Sequence, residues 1–113
     1  MPILLTLFVG SGLLMASLSV PLILRRIGPN PWYGFRVRQT LDDPAVWYPA
    51  NAYAGRGLLA LAATIVGAAI GLYGVPGIDL AVYASAIGAI TLGGLLLILI
   101  LIFRHLHKLT REP

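Results

Sequence analysis

Three long stretches of the chain carry no charged side chain: Ile3 to Leu24, Leu58 to Val75 and Leu80 to Phe103. The length of each uninterrupted run, rather than a helical periodicity, is the signal. At 1.5 Å per residue these runs of 22, 18 and 24 residues reach about 33, 27 and 36 Å as helices, against a bilayer hydrocarbon core of about 30 Å. The pattern predicts an all-α, polytopic membrane protein: a bundle of three transmembrane helices with spans at about 3–24, 55–75 and 80–103. The second run is the shortest. It crosses if the helix begins earlier, near Ala50, or if Arg56 snorkels its guanidinium to the interface. In the third, Leu95 to Phe103 is almost purely aliphatic and is expected to face lipid. The first run has no basic residues before it, exceeds the h-region of a cleaved signal, and is followed by Arg25 and Arg26, so it reads as a retained anchor.

Between the first two runs the composition turns to Pro, Gly, Asn, Arg, Trp and Tyr. Gly28-Pro29-Asn30-Pro31 cannot be helical throughout, because each proline removes a donor and pushes its predecessor toward extended geometry. A sharp turn at the membrane exit is predicted. Trp32, Tyr33 and Phe35 follow at a depth that suits headgroup-level aromatics, and Gly34 permits a close approach or a positive φ. Asp42-Asp43-Pro44 reads as a helix start, with Asp43 as N-cap and Pro44 in the first helical position. The helix is expected to run on into the second span, with a kink at Pro49 or a restart near Ala50. Trp47, Asn51 and Gly55 then share one face, which looks back at the loop.

Composition strengthens the membrane reading: 58% of the 113 residues are hydrophobic and 11% charged, where a soluble domain carries about 25% charged residues. Charge adds an orientation. Arg25, Arg26, Arg36, Arg38 and Arg56 fall in the first connection and Arg104, Lys108 and Arg111 in the tail, whereas Asp79 is the only charge in the second connection. With three spans, all eight basic side chains lie on one side. The positive-inside rule places the N-terminus outside and the loop 25–54 and tail 104–113 in the cytoplasm, as expected of a multi-pass protein of the inner membrane. The net charge of +4 is accounted for by this asymmetry, so no nucleic-acid partner is expected.

Small residues recur at helical spacing. Ala60, Ala63, Gly67, Gly71 and Gly74 draw a stripe on the second span; Gly12, Ala16 and Ser19 draw a weaker one on the first, and Ala81, Ala84 and Gly88 another on the third. Their expected use is close helix packing inside the bundle. The alternative is a self-association face, with Gly67 and Gly71 pairing a homodimer. No ionisable residue interrupts the spans, which argues against a proton or ion pathway. The hydroxyls of Thr6, Ser11, Ser17, Thr64 and Thr91 are expected to bond back to their own helices. There are no cysteines, and His105 and His107, two apart on a helix, point to different sides, so neither a metal site nor a cofactor is expected. No nucleophile-base set or glycine-rich phosphate loop is present, and the aspartates read as caps, so catalysis is not expected.

Asn30, Tyr33-Gly34-Phe35-Arg36, Thr40-Leu41, Trp47, Asn51 and Gly55 together resemble the signature of the SdpI family of bacterial membrane proteins. The chain looks like the signature-bearing three-helix half of a longer family member, although Val37-Arg38-Gln39 stands where the best-known member has a Thr-Pro-Trp-like segment. That member is an immunity protein that protects its producer from a secreted toxic peptide and draws a transcriptional repressor to the membrane. The resemblance implies binding and signalling or toxin immunity without catalysis, with a peptide toxin or regulatory protein as partner. On this reading the binding residues are Asn30, Tyr33, Gly34, Arg36, Arg38, Thr40, Trp47 and Asn51. Arg36 is the charged contact, Asn30 and Asn51 brace the loop by bonding each other's backbone, and Trp32 and Trp47 anchor it at the interface. Two other readings stand beside it: handling of membrane lipid or a small solute, with Arg36 and Arg38 on a phosphate headgroup, and a holin-like pore former.

Overall fold

The computed structural model of the chain describes residues 2–30, residue 34 and residues 38–110, and for 38, 39, 109 and 110 the backbone alone. Four helices follow in order: α1 (Pro2–Ile23), α2 (Arg38–Leu41), α3 (Pro44–Tyr73) and α4 (Leu80–Thr110). Three of them, α1, α3 and α4, are long and apolar enough to cross a membrane. The central helix is α3, which packs against both α1 and α4, and the molecule measures 58 × 23 × 18 Å.

Asp43 starts α3 as expected. Its backbone is extended (φ −142°, ψ 110°) and its carboxylate accepts the Ala45 N–H at 2.9 Å, satisfying one of the donors orphaned at a helix start. Pro44 occupies the first turn, where its missing N–H costs nothing. The helix then continues through Pro49 to Tyr73 in one piece of 30 residues, with no restart at Ala50. Pro49 removes only the single bond to the carbonyl of Ala45, and a helix held by its neighbours on both sides tolerates one such loss. The second span is therefore the inner part of a longer helix that starts eleven residues before the expected boundary at 55. Asp79 repeats the Asp43 device, accepting the Ala81 N–H at 3.1 Å to start α4. That helix runs on through the expected tail to Thr110.

The end of α1 is closed by two crossed bonds, Arg26 N–H to the Pro21 carbonyl at 3.0 Å and Arg25 N–H to the Leu22 carbonyl at 3.2 Å. This is the Schellman arrangement, which puts its reversing residue in the left-handed region. Here that residue is Arg25, at φ 60°, rather than glycine.

The core is hydrocarbon: Leu61, Ile65 and Ala69 of α3 meet Ile87 of α4, with Phe8, Val9 and Met15 of α1 packed against them. Tyr83, fully buried, hands its hydroxyl proton to the Ala69 carbonyl at 2.8 Å. Thr6, Ser11, Ser17, Thr64 and Thr91 all donate to the carbonyl four residues back. Leu96, Leu97, Leu99, Ile100 and Phe103 are exposed, as expected for a lipid face, although Ile102 between them is buried.

The small residues sort differently from expectation. Ala60, Ala63, Gly67, Gly71 and Gly74 all lie on the exposed side of α3, and a Cβ on Gly67 or Gly71 would meet nothing within 4 Å. The weaker stripe of α1 is the one that packs. A Cβ on Gly12 would lie 2.5 Å from Val66 Cγ2, and Ser19 is fully buried with its backbone carbonyl against Gly55. What sets the interface is the match of Gly12 and Ser19 to the α3 face of Gly55, Ala62 and Ile65, not the longest run of small residues.

Candidate binding surface

The first ten residues of α3 and the chain leaving α1 form one packed unit. Trp47 is completely buried and donates its indole N–H to the Ile27 carbonyl at 2.6 Å, joining α3 to the segment just past the arginine pair. One turn on, Asn51 is 1% exposed and donates its amide to the Trp47 carbonyl at 3.1 Å. Gly34 closes over this pair with φ 101°; a Cβ there would sit 2.7 Å from Asn51 Oδ1 and 3.3 Å from the Trp47 ring. One further turn along, Gly55 is pressed so closely to α1 that a Cβ would lie 2.9 Å from the Ser19 carbonyl oxygen. Trp47 and Asn51 do look back at the loop, whereas Gly55 on the same face meets α1.

Other predicted site residues take their places around this unit. Thr40 is fully buried on α2, which packs on α3. Asn30 is half-buried and donates its amide to the Gly28 carbonyl at 2.8 Å, a local brace of the turn. The Tyr48 hydroxyl lies beside Gly28, 3.3 Å from where a Cβ would be. Arg38 opens α2, with its backbone alone described; Tyr33 and Arg36, with Trp32 and Phe35, lie outside the described residues.

One expectation changes. Trp47 is not an anchor at the headgroups. Burial removes its ring from any interface, and its N–H is satisfied by protein rather than by water or lipid. Asn30 donates to the Gly28 carbonyl and Asn51 to the Trp47 carbonyl. Trp47, Asn51 and Thr40 are thus buried rather than presented at the surface.

Two features were not anticipated. Tyr53 of α3 stacks on His105 of α4, with ring centroids 4.3 Å apart and planes within 8°. The two lie 52 positions apart, and no spacing signal links them. As the one-sided placement of basic residues along the chain anticipates, Arg25, Arg26, Arg56, Arg104 and Lys108 are all exposed at the end of the bundle where α1 stops and α3 starts. A groove of about 590 Å³ also reaches this end, bounded by α1, α3 and α4 and touching Gly34. Among the described residues no group of three or more His, Asp or Glu could hold a metal ion.

Three apolar helices of membrane-crossing length, and a connection whose described parts are bonded to the start of the second, define an all-helical, multi-pass membrane protein. The profile of the SdpI/YfhL protein family matches residues 26–104, which takes in every residue of the Asn30-to-Gly55 motif and the second and third spans. The chain belongs to that family. No curated protein and no solved structure matches it.

Proposed function

We propose that this protein is a non-catalytic recognition protein of the bacterial inner membrane, of the immunity or signalling kind, that captures a peptide or regulatory protein on the connection between α1 and α3. The observation that carries the reading is the bond from Trp47 to Ile27 with Gly34 laid over Asn51. A connector that only links two spans needs no buried tryptophan or asparagine to fix it, whereas a binding surface has to be held in one shape. The positive charge gathered around it supports the cytoplasmic placement of loop and tail, with the N-terminus outside. The same charge suits a partner that presents carboxylates. The packed hydrocarbon core of Leu61, Ile65, Ala69 and Ile87 supports a scaffold role for the spans in preference to a pore.

Arg36 is the residue assigned to the partner's carboxylate. Purification of the wild-type and Arg36→Ala proteins in mild detergent, followed by mass spectrometry of bound peptide and protein, tests the assignment. A species that copurifies with the wild type and is lost from an Arg36→Ala protein of unchanged thermal stability supports it. The same bound species in both would sink it.

A further inference from the structure

The groove beneath Gly34 has a shape and a charge setting that the recognition reading does not use. One wall is α1, where Leu14, Leu18 and Leu22 recur every four residues; the other is α4, through Ile98 and Ile102; Leu58 of α3 forms part of the floor. Its volume of about 590 Å³ lies within the roughly 300–1,000 Å³ of ligand sites. The one hydroxyl in the lining, that of Ser11, is bonded to the Leu7 carbonyl at 2.7 Å. The side chains therefore offer a hydrocarbon surface with no free donor to orient a polar solute.

From Ser11 to Leu22 the groove runs about 16 Å along α1, close to the roughly 15 Å of hydrocarbon in one leaflet. It begins near the middle of α1 and α4 and ends at Leu22 and Ile102, toward the end of the bundle that carries the loop. A partner helix crossing the bilayer needs a face along the full height of the bundle, and this groove covers half of it. A single acyl chain needs only the half. At the outer end, Arg25 and Arg26 follow Leu22 within one turn, and both are exposed. At the opposite end of the bundle Asp79 is the only charged side chain among the described residues.

We propose that this groove holds one acyl chain of an anionic phospholipid from the leaflet on the loop side, with the headgroup phosphate at Arg25 and Arg26. The chain fills the space between α1 and α4, and the arginines select the headgroup's charge. Because Gly34 belongs to both the groove and the loop, a seated lipid supports the recognition surface from below. The assignment is independent of Arg36.

The test is lipid titration of the delipidated full-length protein in detergent, read by native mass spectrometry, with phosphatidylglycerol, phosphatidylcholine of the same chains, and free palmitate as probes. The expected result is one phosphatidylglycerol per protein, bound at least tenfold tighter than phosphatidylcholine or palmitate. Leu18→Trp, which fills the groove from an exposed position, is expected to weaken phosphatidylglycerol binding at least tenfold, and Ile98→Trp does the same from the other wall. Leu92→Trp, on the 72% exposed outer side of α4, is expected to leave it unchanged. The double variant Arg25→Gln, Arg26→Gln is expected to remove most of the preference for the anionic lipid while phosphatidylcholine still binds. Equal binding of the two phospholipids by the wild type would overturn the headgroup assignment. Tighter binding of palmitate would overturn the choice of a phospholipid. Equal losses from Leu18→Trp and Leu92→Trp, or no loss from either groove variant, would reduce the bound lipid to the ordinary annulus. Arg36→Ala is expected to keep the lipid, so failure of one proposal is distinguishable from failure of the other.

Discussion

The indole of Trp47 is bonded to the backbone of Ile27, twenty residues earlier, at 2.6 Å. This bond ties the start of α3 to the chain emerging from α1, and it makes two separable contributions. Trp47→Phe keeps most of the buried ring and loses the bond, a cost of about 1 kcal/mol. Trp47→Ala also empties a core site, at about 3–5 kcal/mol. Thermal melts in detergent should rank wild type above Phe above Ala. Limited proteolysis should show faster cleavage between residues 25 and 43 in both variants, and equal cleavage would mean that the bond does not hold the connection.

Gly34 is expected to be intolerant of any side chain. Gly34→Ala combines a positive φ with a methyl 2.7 Å from Asn51 Oδ1, together about 1–3 kcal/mol. Asn51→Ala removes the clash but not the backbone strain, so in the double variant part of the Gly34→Ala loss should disappear. A strictly additive double variant, measured by chemical or thermal unfolding, would contradict the contact.

The two kinds of glycine on α3 give opposite expectations. Gly55→Ala drives a methyl into the α1 backbone at Ser19 and Ile23 and should cost about 1–3 kcal/mol. Gly67→Ala adds a methyl where nothing lies within 4 Å, and should be neutral or stabilising by up to about 1 kcal/mol through helix propensity. The check is the difference in melting temperature between the two; Gly67→Ala as the more damaging change would reverse the assigned packing face.

Arg25 stands in a left-handed position that glycine occupies more easily. Arg25→Gly should therefore raise stability by about 1 kcal/mol while lowering affinity for anionic lipid. A variant that loses stability would show that the side chain holds the fold as well as a headgroup.

Loss of the Asp43 cap should cost about 0.5–2 kcal/mol in Asp43→Ala and much less in Asp43→Asn, which keeps an acceptor for the Ala45 N–H. Unfolding midpoints of the three proteins decide this, and equal losses from Ala and Asn would point to charge rather than to the cap.

Much of the fold was legible because each signal was local. Three uncharged runs marked the three long helices, Asp43-Pro44 marked the start of α3, and the four-residue spacing of Trp47, Asn51 and Gly55 marked the face that meets the loop. The packing of the spans was not legible. In water a helix declares its inner face by hydrophobicity, but in lipid both faces are apolar, so a stripe of small residues says that close approach is allowed without naming a neighbour. Gly67 and Gly71 thus read as interface and lie exposed, while Gly12 made the contact because Ala62 and Val66 stood opposite. Tyr53 on His105 and Trp47 on Ile27 depend on segments far apart in sequence, and only the folded chain joins them. For the candidate site, the family pattern named Gly34, Trp47 and Asn51 as binding residues, with Trp47 as an interfacial anchor, whereas Trp47 and Asn51 are buried, which depends on what packs over them.

The 30 residues of α3 extend about 45 Å as a helix, half as long again as the roughly 30 Å hydrocarbon core. The end that carries Trp47 and Asn51 is therefore a continuation of the same rod that crosses the membrane. Because the rod is one helix, a tilt of about 5° about its middle moves the far tip at Tyr73 by about 2 Å. The start of α3 and its far end at Tyr73 are therefore coupled as parts of a single helix.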